Sequence, residues 1–207
     1  MTQLAAQSIH RLCTNPGHYA PTRKLERLPL ISPYLPERTI INGSSAGLSG
    51  ASYDIRIGHD LTLGPNPAAI LDRLCQATRR GVDAMEFAFE EIRAAHTYKA
   101  LAWSLETFAI PLDVVAYVVD KSTCARRLMT TFNTLFDPGF VGTATLELVN
   151  LGPEVIKFRE GDPVCQIVFH WLDEPTGKPY DGKYQDQPPR AVPALFEANL
   201  DDKDTIF

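Results

Sequence analysis

The clearest pattern in the chain is a strict alternation of side-chain types over residues 143–150. Successive side chains of a β-strand point to opposite sides, so this alternation predicts a strand with two distinct faces. One face carries small and aliphatic side chains: Ala144, Leu146 and Leu148. The other face carries three polar side chains and a valine: Thr143, Thr145, Glu147 and Val149. Glu147 is therefore predicted to be a carboxylate on an inward or cleft-lining face, surrounded by apolar sequence.

The alternation alone leaves two interpretations of Glu147 open. The carboxylate is either a strand-edge group paired with a nearby arginine or a functional acid–base group, and structural ion pairs are the commoner of the two. A functional role would require partial burial, because desolvation raises the pKa of a carboxyl group toward neutrality.

Shorter hydrophobic patterns predict β-structure through much of the remaining chain. Residues 52–58 alternate apolar and polar side chains, which predicts a half-buried strand with Asp54 and Arg56 on one face. We expect these two charges either to form a cross-strand ion pair or to belong to a site. Further strands are predicted at residues 39–41, 100–108, 114–119, 155–158 and 164–172.

Helical periodicity is confined to a few segments. Residues 2–13 are predicted to form a short amphipathic helix with Thr2 as its N-cap, and residues 65–80 a second helix with Pro67 near its start. The acidic residues 82–97 favour a strand followed by a helical turn.

Proline and glycine punctuate the chain between these elements. Residues 1–50 are predicted to be the N-terminal helix followed by an extended arm, and residues 173–207 a proline-rich tail. Many short strands and few long helices predict a mainly β fold, a barrel or sandwich with helical additions. The length of 207 residues is enough for one domain with a sizeable core, so residues 1–207 are expected to form a single domain.

Composition and charge narrow the classes of function. The 207 residues are 44% hydrophobic and 22% charged, which is typical of a soluble globular domain. No apolar run is long enough to span a membrane, and the N-terminal residues lack the apolar core of a signal peptide, so we expect a cytoplasmic protein. The net charge of −5 argues against nucleic-acid binding but is compatible with a small anionic substrate.

The four cysteines restrict the metal chemistry. Cys13, Cys75, Cys124 and Cys165 are too widely spaced for a zinc knuckle or a redox dithiol. The H-x-E and P-C-x-x-C motifs of zinc-dependent nucleobase deaminases are both missing from the sequence. The chemistry of this chain is therefore predicted to proceed without zinc held by the protein.

Two polar clusters have the chemistry of a nucleotide site. Residues 121–126 combine cations and hydroxyl groups that would form charge-assisted hydrogen bonds with a polyphosphate. In the tail, aromatic, cationic and amide side chains follow one another closely: Tyr180, Lys183, Tyr184 and Gln187. This second cluster is either part of a loosely packed end or a segment that closes over a nucleotide.

Four segments resemble the dCTP deaminase family, which belongs to the dUTPase-like superfamily. They are SYDIRIG at 52–58, KSTCAR at 121–126, DPGFVGTATLELVN at 137–150, and PY followed by GKYQDQ at 179–187. Each segment alone is a weak signal, whereas the four together occur in the order of the family and are specific. The resemblance implies a dUTPase-like distorted β-barrel or jelly-roll.

The resemblance also implies a reaction and a set of site residues. Glu147 matches the catalytic glutamate of the family, while Ser122 and Arg126 match residues that position the attacking water and the base. The remaining matches are implied to bind substrate: Lys121, Thr123, Ala125, Asp137, Tyr180, Lys183 and Gln187. Mg²⁺ would be bound through the substrate triphosphate, dTTP is an expected feedback ligand, and the sites would lie between the subunits of a homotrimer.

Two features favour deamination over hydrolysis of dUTP. In plain dUTPases the position that matches Glu147 is normally not acidic. Those enzymes also end in a glycine-rich motif that covers the phosphates, and residues 188–207 contain nothing like it.

Departures from the family pattern keep other hypotheses open. Residues 65–97 resemble an insertion, and the loop at 127–136, which would read the base, is shorter and different. The alternatives are a bifunctional enzyme that continues from dUTP to dUMP, deamination of a related cytosine nucleotide, and a nucleotide-binding regulatory protein without turnover. A plain dUTP pyrophosphatase is the remaining hypothesis.

Overall fold

The computed structural model describes residues 2–15, 28–79, 98–132 and 134–195. The described part contains the helices α1 (Ala6–Thr14), α2 (Pro67–Arg79) and α3 (Ser122–Ala125). Its strands are β1 (Thr2–Gln3), β2 (Ile31–Ser32), β3 (Thr39–Ile41), β4 (Ser44–Leu48), β5 (Tyr53–Arg56), β6 (Leu61–Leu63), β7 (Lys99–Ala109), β8 (Val114–Asp120), β9 (Met129–Thr131), β10 (Leu135–Phe136), β11 (Val141–Asn150), β12 (Ile156–Phe158) and β13 (Pro163–Trp171). The five further strands predicted from the sequence are all present, with ends shifted by no more than about two residues.

Most of these strands belong to two antiparallel sheets. The larger sheet has the order β10-β8-β13-β5-β4-β3, and β1 pairs with the end of β13. The smaller sheet has the order β2-β7-β11-β9, while β6 and β12 form a separate pair. The predicted mainly β fold with a few short helices is confirmed. Within the described residues the sheets do not close into a barrel, so the arrangement is that of the two-sheet jelly-roll.

Side chains from both sheets fill one hydrophobic core. Its largest members are fully buried and include Tyr53 of β5, Phe108 of β7 and Phe169 of β13. Burial of such side chains is the dominant favourable contribution to folding. The core therefore fixes the position of β7 and β11, the two longest strands, on which the candidate site is built.

Strand β11 lies between β7 and β9 and shows the predicted alternation. Its core-facing side chains are at most 1% exposed: Ala144, Leu146 and Leu148. Thr145 and Glu147 are half-buried on the opposite face. Glu147 stands opposite Leu101 of β7 in the register of the sheet, so its carboxyl group rises from an apolar surface.

The N-terminal helix starts later than the sequence pattern predicts. Helix α1 begins at Ala6, and its N-cap residue Ala5 makes no side-chain capping bond. The predicted N-cap Thr2 lies instead in β1, opposite Trp171 of β13. The prediction of Thr2 as the cap was wrong because pairing with the sheet edge keeps residues 2–3 extended.

The second predicted helix is confirmed as α2, with Pro67 at its first position, where the missing N–H costs nothing. The prediction for residues 82–97 concerns a segment outside the described residues. Among the helices that are described, none combines the length and apolar character needed to cross a bilayer.

Strand β5 is buried on both faces, which corrects the prediction of a half-buried strand. It lies between β13 and β4 in the larger sheet. Asp54 and Arg56 are buried with it, but each pairs with a partner from elsewhere in the chain. Asp54 accepts a hydrogen bond from Lys121 Nζ at 2.8 Å, and Arg56 Nε donates to Glu106 Oε1 at 2.6 Å. Because each charge is neutralised by its own partner, the strand can be buried on both faces.

Candidate active site

A cavity of about 490 Å³ lies between the carboxylate face of β11, the turn that precedes β11, and the C-terminal segment. Side chains of three kinds line it: carboxyl groups, amide or hydroxyl groups, and aromatic rings. They include Glu147 and Asp137, Thr145 and Gln187, and Phe140, Tyr180 and Tyr184. The cavity therefore brings together four of the residues predicted from the sequence: Glu147, Asp137, Tyr180 and Gln187.

Glu147 is the most unusual polar group of this cavity. Its Oε2 atom is buried and accepts no hydrogen bond from the described residues. Burial raises the pKa of Glu147, and a hydrogen bond with its own backbone opposes this effect only partly. Within the described part of the chain no ion pair involves Glu147, so the interpretation as a strand-edge carboxylate paired with an arginine finds no partner there.

The apolar surroundings explain why Glu147 is desolvated. Its side chain also borders a second depression of about 360 Å³, between β7, β11 and the residue that follows β9. Leu101 and Phe132 line this depression and are 43% and 61% exposed. Leu135, on the wall of the first cavity, is 50% exposed. Large apolar side chains thus border the carboxylate on both sides while remaining open to solvent.

The C-terminal segment is held against the start of β11 by backbone hydrogen bonds. Tyr180 N donates to Pro138 O at 2.8 Å, and Asp186 N donates to Val141 O at 2.7 Å. Further along, Thr143 N donates to Gln187 O at 3.1 Å. The described part of the tail is therefore packed against the sheet edge, where it forms one wall of the cavity.

Gln185 adds two side-chain contacts to this docking. Its Oε1 accepts a hydrogen bond from Val141 N at 2.8 Å, and its Nε2 donates to Gly139 O at 2.9 Å. Sequence reasoning missed this residue because it treated the tail amide at 187 alone as functional.

Two glycines of the 137–142 turn make room for the tail. A Cβ atom on Gly139 would lie 2.9 Å from Pro179 Cβ, and one on Gly142 would lie 2.6 Å from Gln187 N. Both glycines also have positive φ angles, +92° and +148°, which side chains disfavour. The glycines that carry part of the family resemblance therefore allow the close approach of the C-terminal segment.

The segment at 121–126 lies apart from this cavity. Ser122, Thr123 and Arg126 are exposed on and beside the short helix α3, and none of them lines the cavity that contains Glu147. Ala125 is exposed as well, and Lys183 does not line the cavity, although its Nζ atom lies 5.5 Å from the centre of the Tyr184 ring. The structure of the single chain thus separates the predicted site residues into two groups.

Lys121, which was predicted to be a phosphate ligand, is paired with protein groups in the single chain. It is only 3% exposed, and its Nζ atom donates to Asp54 Oδ1 at 2.8 Å and to Ser45 Oγ at 3.1 Å. Gln166 Nε2 also donates to Asp54 Oδ1, at 2.9 Å. A phosphate would therefore have to compete with a buried carboxylate for this ammonium group.

The altered loop at 127–136 is held by an aspartate that sequence reasoning did not select. Asp120, at the end of β8, accepts hydrogen bonds from Thr130 Oγ1 at 2.9 Å and from Thr131 N at 2.8 Å. This contact ties β9 to the end of β8, while β9 pairs with β11 through the backbone. Thr134 and Leu135, which follow β9, line the cavity. The sequence did contain an indication of this contact: a carboxylate at the end of a strand is followed by a loop rich in threonine.

No group of three or more His, Cys, Asp or Glu side chains in the described part of the chain is arranged to hold a metal ion. The fold and the site together define a mainly β protein with a cavity that contains a desolvated carboxylate and is walled by its own C-terminal segment.

Comparison with known proteins identifies the family. A family model described as dCTP deaminase-like matches residues 34–172. The dCTP deaminase of Acidobacterium capsulatum is 33% identical over 173 residues, which cover 80% of this chain and 91% of the relative. The dCTP deaminase of Helicobacter pylori strain G27 is 32% identical and covers 81% of this chain and 91% of the relative. The chain belongs to the dCTP deaminase-like family, as its sequence motifs predicted.

Similar solved structures include two dUTPases. The native EIAV dUTPase has a TM-score of 0.42 and 15% identity, covering 65% of this chain and 87% of that one. The dUTPase from phage phi11 of S. aureus has a TM-score of 0.42 and 14% identity, covering 74% of this chain and 94% of that one.

Proposed function

We propose that this protein is a zinc-independent deaminase that hydrolyses dCTP to dUTP and ammonia in pyrimidine deoxynucleotide metabolism. The observation that carries the proposal is the carboxylate of Glu147, which lies in a cavity with a buried oxygen that has no hydrogen-bond partner among the described residues. The names of the relatives, dCTP deaminases at 32–33% identity, support the same substrate.

The proposed chemistry requires one group that accepts a proton and later returns it. A water molecule attacks C4 of the cytosine and gives one proton to Glu147, which passes it to N3. Glu147 then takes the remaining proton from the new C4 hydroxyl and gives it to the leaving amino group. The bond between C4 and the amino nitrogen then breaks, leaving uracil and ammonia. Partial burial suits Glu147 to both steps, because a raised pKa makes the carboxylate a stronger base and brings its acid form into the working range of pH.

Asp137, Tyr180 and Gln187 line the same cavity and are proposed to bind the sugar and the phosphate side of the nucleotide. Lys183 and Thr123 are proposed phosphate ligands, Ala125 a proposed backbone contact, and Mg²⁺ arrives as part of the substrate, bound to its triphosphate. dTTP, which has the same triphosphate and deoxyribose, is proposed as a competing feedback ligand.

We propose that the active enzyme is a homotrimer in which a neighbouring subunit completes each site. Ser122 and Arg126 are exposed on their own subunit and lie outside the cavity of Glu147. The solvent-exposed apolar side chains beside that cavity, Leu101, Phe132 and Leu135, are the type of surface that subunit contacts cover. If a neighbouring subunit supplies its Ser122 hydroxyl and Arg126 guanidinium across this contact, these groups would lie next to the carboxylate of Glu147.

A product assay tests the proposed reaction. Purified protein is incubated with Mg²⁺ and each of dCTP, dCDP, dCMP and dUTP, and products are separated by chromatography. We expect dUTP and ammonia from dCTP in equal amounts. Formation of dUMP and pyrophosphate from dCTP would identify the bifunctional enzyme, whereas cleavage of dUTP alone would identify a pyrophosphatase. Tight dCTP binding by calorimetry without any product would show a regulatory protein.

The pH dependence of the reaction should reflect the burial of Glu147. Only the carboxylate form accepts a proton from water, so kcat/KM is expected to fall as the pH drops through the pKa of Glu147. Because burial raises this pKa above its ordinary value of 4.5, the acidic limb should have its midpoint above that value. A rate profile measured in constant ionic strength checks this, and a midpoint at or below 4.5 would contradict the assignment of Glu147 as the base.

A further inference from the structure

Thr145 connects the strand of Glu147 to the C-terminal segment. It lies two residues before Glu147 on the same face of β11, is half-buried, and lines the same cavity. Its Oγ1 donates a hydrogen bond to Gln187 Oε1 at 3.1 Å and accepts one from Val192 N at 3.2 Å. One hydroxyl group therefore holds two points of the tail that are five residues apart.

This arrangement fixes the orientation of the Gln187 side chain. The Thr145 hydroxyl has a single hydrogen atom, and it points at the amide oxygen of Gln187. The amide nitrogen is then turned away from Thr145, and among the described residues none accepts a hydrogen bond from it. Gln187 thus presents two N–H donors rather than an acceptor, which suits an acceptor oxygen of a bound nucleotide.

The neighbouring threonine on the same strand face acts on the tail differently. Thr143 Oγ1 donates to the backbone oxygen of Pro188 at 2.6 Å, and Thr143 N donates to the backbone oxygen of Gln187. These contacts dock the chain but leave the direction of the Gln187 amide undetermined. Orientation of the amide therefore depends on Thr145.

We propose that Thr145 is a positioning residue for nucleotide binding: its hydroxyl orients the Gln187 amide as a donor and ties the segment from Gln187 to Val192 across the cavity of Glu147. The proposal rests on the proposed function, since it assumes that the ligand of this cavity is a deoxycytidine nucleotide. It goes beyond that function by assigning a role to a residue that does not carry out the chemistry.

Steady-state kinetics of near-isosteric variants test this role. Thr145→Val removes only the hydroxyl and is expected to raise KM for dCTP by about tenfold, roughly the effect of one hydrogen bond, with kcat changed by less than about twofold. Thr145→Ser keeps the hydroxyl and should retain the wild-type KM. Thr62→Val is the control, because Thr62 is exposed on β6, outside both depressions. Equal KM values for wild type and Thr145→Val, or a Ser variant that behaves like the Val variant, would overturn the proposal.

A double-mutant cycle examines whether Thr145 acts through Gln187. The effect of Thr145→Val on KM should largely disappear in the Gln187→Ala background, because no amide is left to orient. An undiminished effect in that background would overturn the orienting role.

Hydrogen exchange separates failure of this proposal from failure of the proposed reaction. The Val192 amide should exchange faster in Thr145→Val than in wild type and remain unchanged in Thr62→Val, whether or not the protein turns over any nucleotide. If wild type shows no turnover, the dissociation constant for dCTP replaces KM, and an unchanged constant in Thr145→Val would overturn the orienting role. Unchanged exchange at Val192 would overturn the tie to the tail.

Discussion

Replacement of Glu147 by glutamine is expected to lower kcat for dCTP deamination by at least about 10²-fold, the lower end of what acid–base catalysis contributes. Glutamine has the same shape, but its amide neither accepts the proton of the attacking water nor returns it. The dissociation constant for dCTP should change by less than about threefold, because the substitution removes proton transfer and little ground-state binding. Single-turnover kinetics and calorimetry on the same protein measure the two quantities.

The loss of activity should not come from loss of folding. Burial raises the pKa of Glu147 in the folded protein, so ionisation of this carboxyl group lowers the free energy of unfolding. The loss of stability is absent at pH values below the unfolded-state pKa and grows as the pH rises above that pKa. Glu147→Gln removes this penalty, and the variant should unfold at the same or a higher temperature than wild type above neutral pH. Glu37→Gln, the same change at an exposed position, serves as the control. A decrease in kcat of less than about tenfold would mean that another group is the base.

Local sequence patterns identified the strand face of Glu147 because the period of a β-strand is two and requires no knowledge of partners. The alternation over residues 143–150 separated Leu146 and Leu148 from Glu147, and the structure shows the same division. Family resemblance added Asp137 and the tail residue Gln187, which the fold brings to the same cavity as Glu147.

Interactions between distant segments were not predictable in the same way. The strand with Asp54 and Arg56 was expected to be half-buried because charges normally remain near water. Their partners lie 67 and 50 residues away in the sequence, and no local period shows that a charge will be neutralised inside the core. The burial of Glu106 could nevertheless have been predicted, since alternation along β7 places it on the same face as the buried Ala102 and Phe108.

The separation of the predicted site into two groups has a related physical cause. Residues 121–126 and Glu147 are close in sequence, but β9, β10 and the intervening turns direct them to different surfaces of one chain. A sequence pattern specifies the face of an element on which a side chain lies. It does not specify whether a second copy of the chain brings that face to a cavity, which the proposed trimer would do.

Removal of the Arg56 side chain is expected to destabilise the folded protein strongly. Glu106 is fully buried, and Arg56 satisfies its carboxylate through Nε, 2.6 Å from Oε1, and through its backbone N, 3.0 Å from Oε2. Arg56→Met keeps most of the volume but leaves Glu106 without its counter-charge. Because the uncompensated charge remains in the core, the free energy of unfolding should fall by about 3–5 kcal/mol at neutral pH, measured by urea denaturation.

Two further variants separate charge from packing in this result. Arg38→Met makes the same substitution at an exposed arginine and should change the free energy of unfolding by less than about 0.5 kcal/mol. The double variant Arg56→Met with Glu106→Leu removes both charges and should recover most of the lost stability, since apolar replacements of a buried ion pair are often neutral. If the double variant is as unstable as Arg56→Met alone, lost packing rather than the unpaired carboxylate is the cause.

The pH dependence of the Arg56→Met variant provides an independent test of the same cause. Burial raises the pKa of Glu106, and the Arg56 guanidinium opposes that shift, so removal of the guanidinium moves the folded-state pKa further above its ordinary value of 4.5. Below the unfolded pKa the carboxyl is protonated in both states, and the variant carries little charge penalty. The penalty grows as the pH rises toward the new folded-state pKa. The stability difference between wild type and variant should therefore be larger at about pH 8 than at about pH 5, and an equal difference at both values would show that ionisation of Glu106 is not involved.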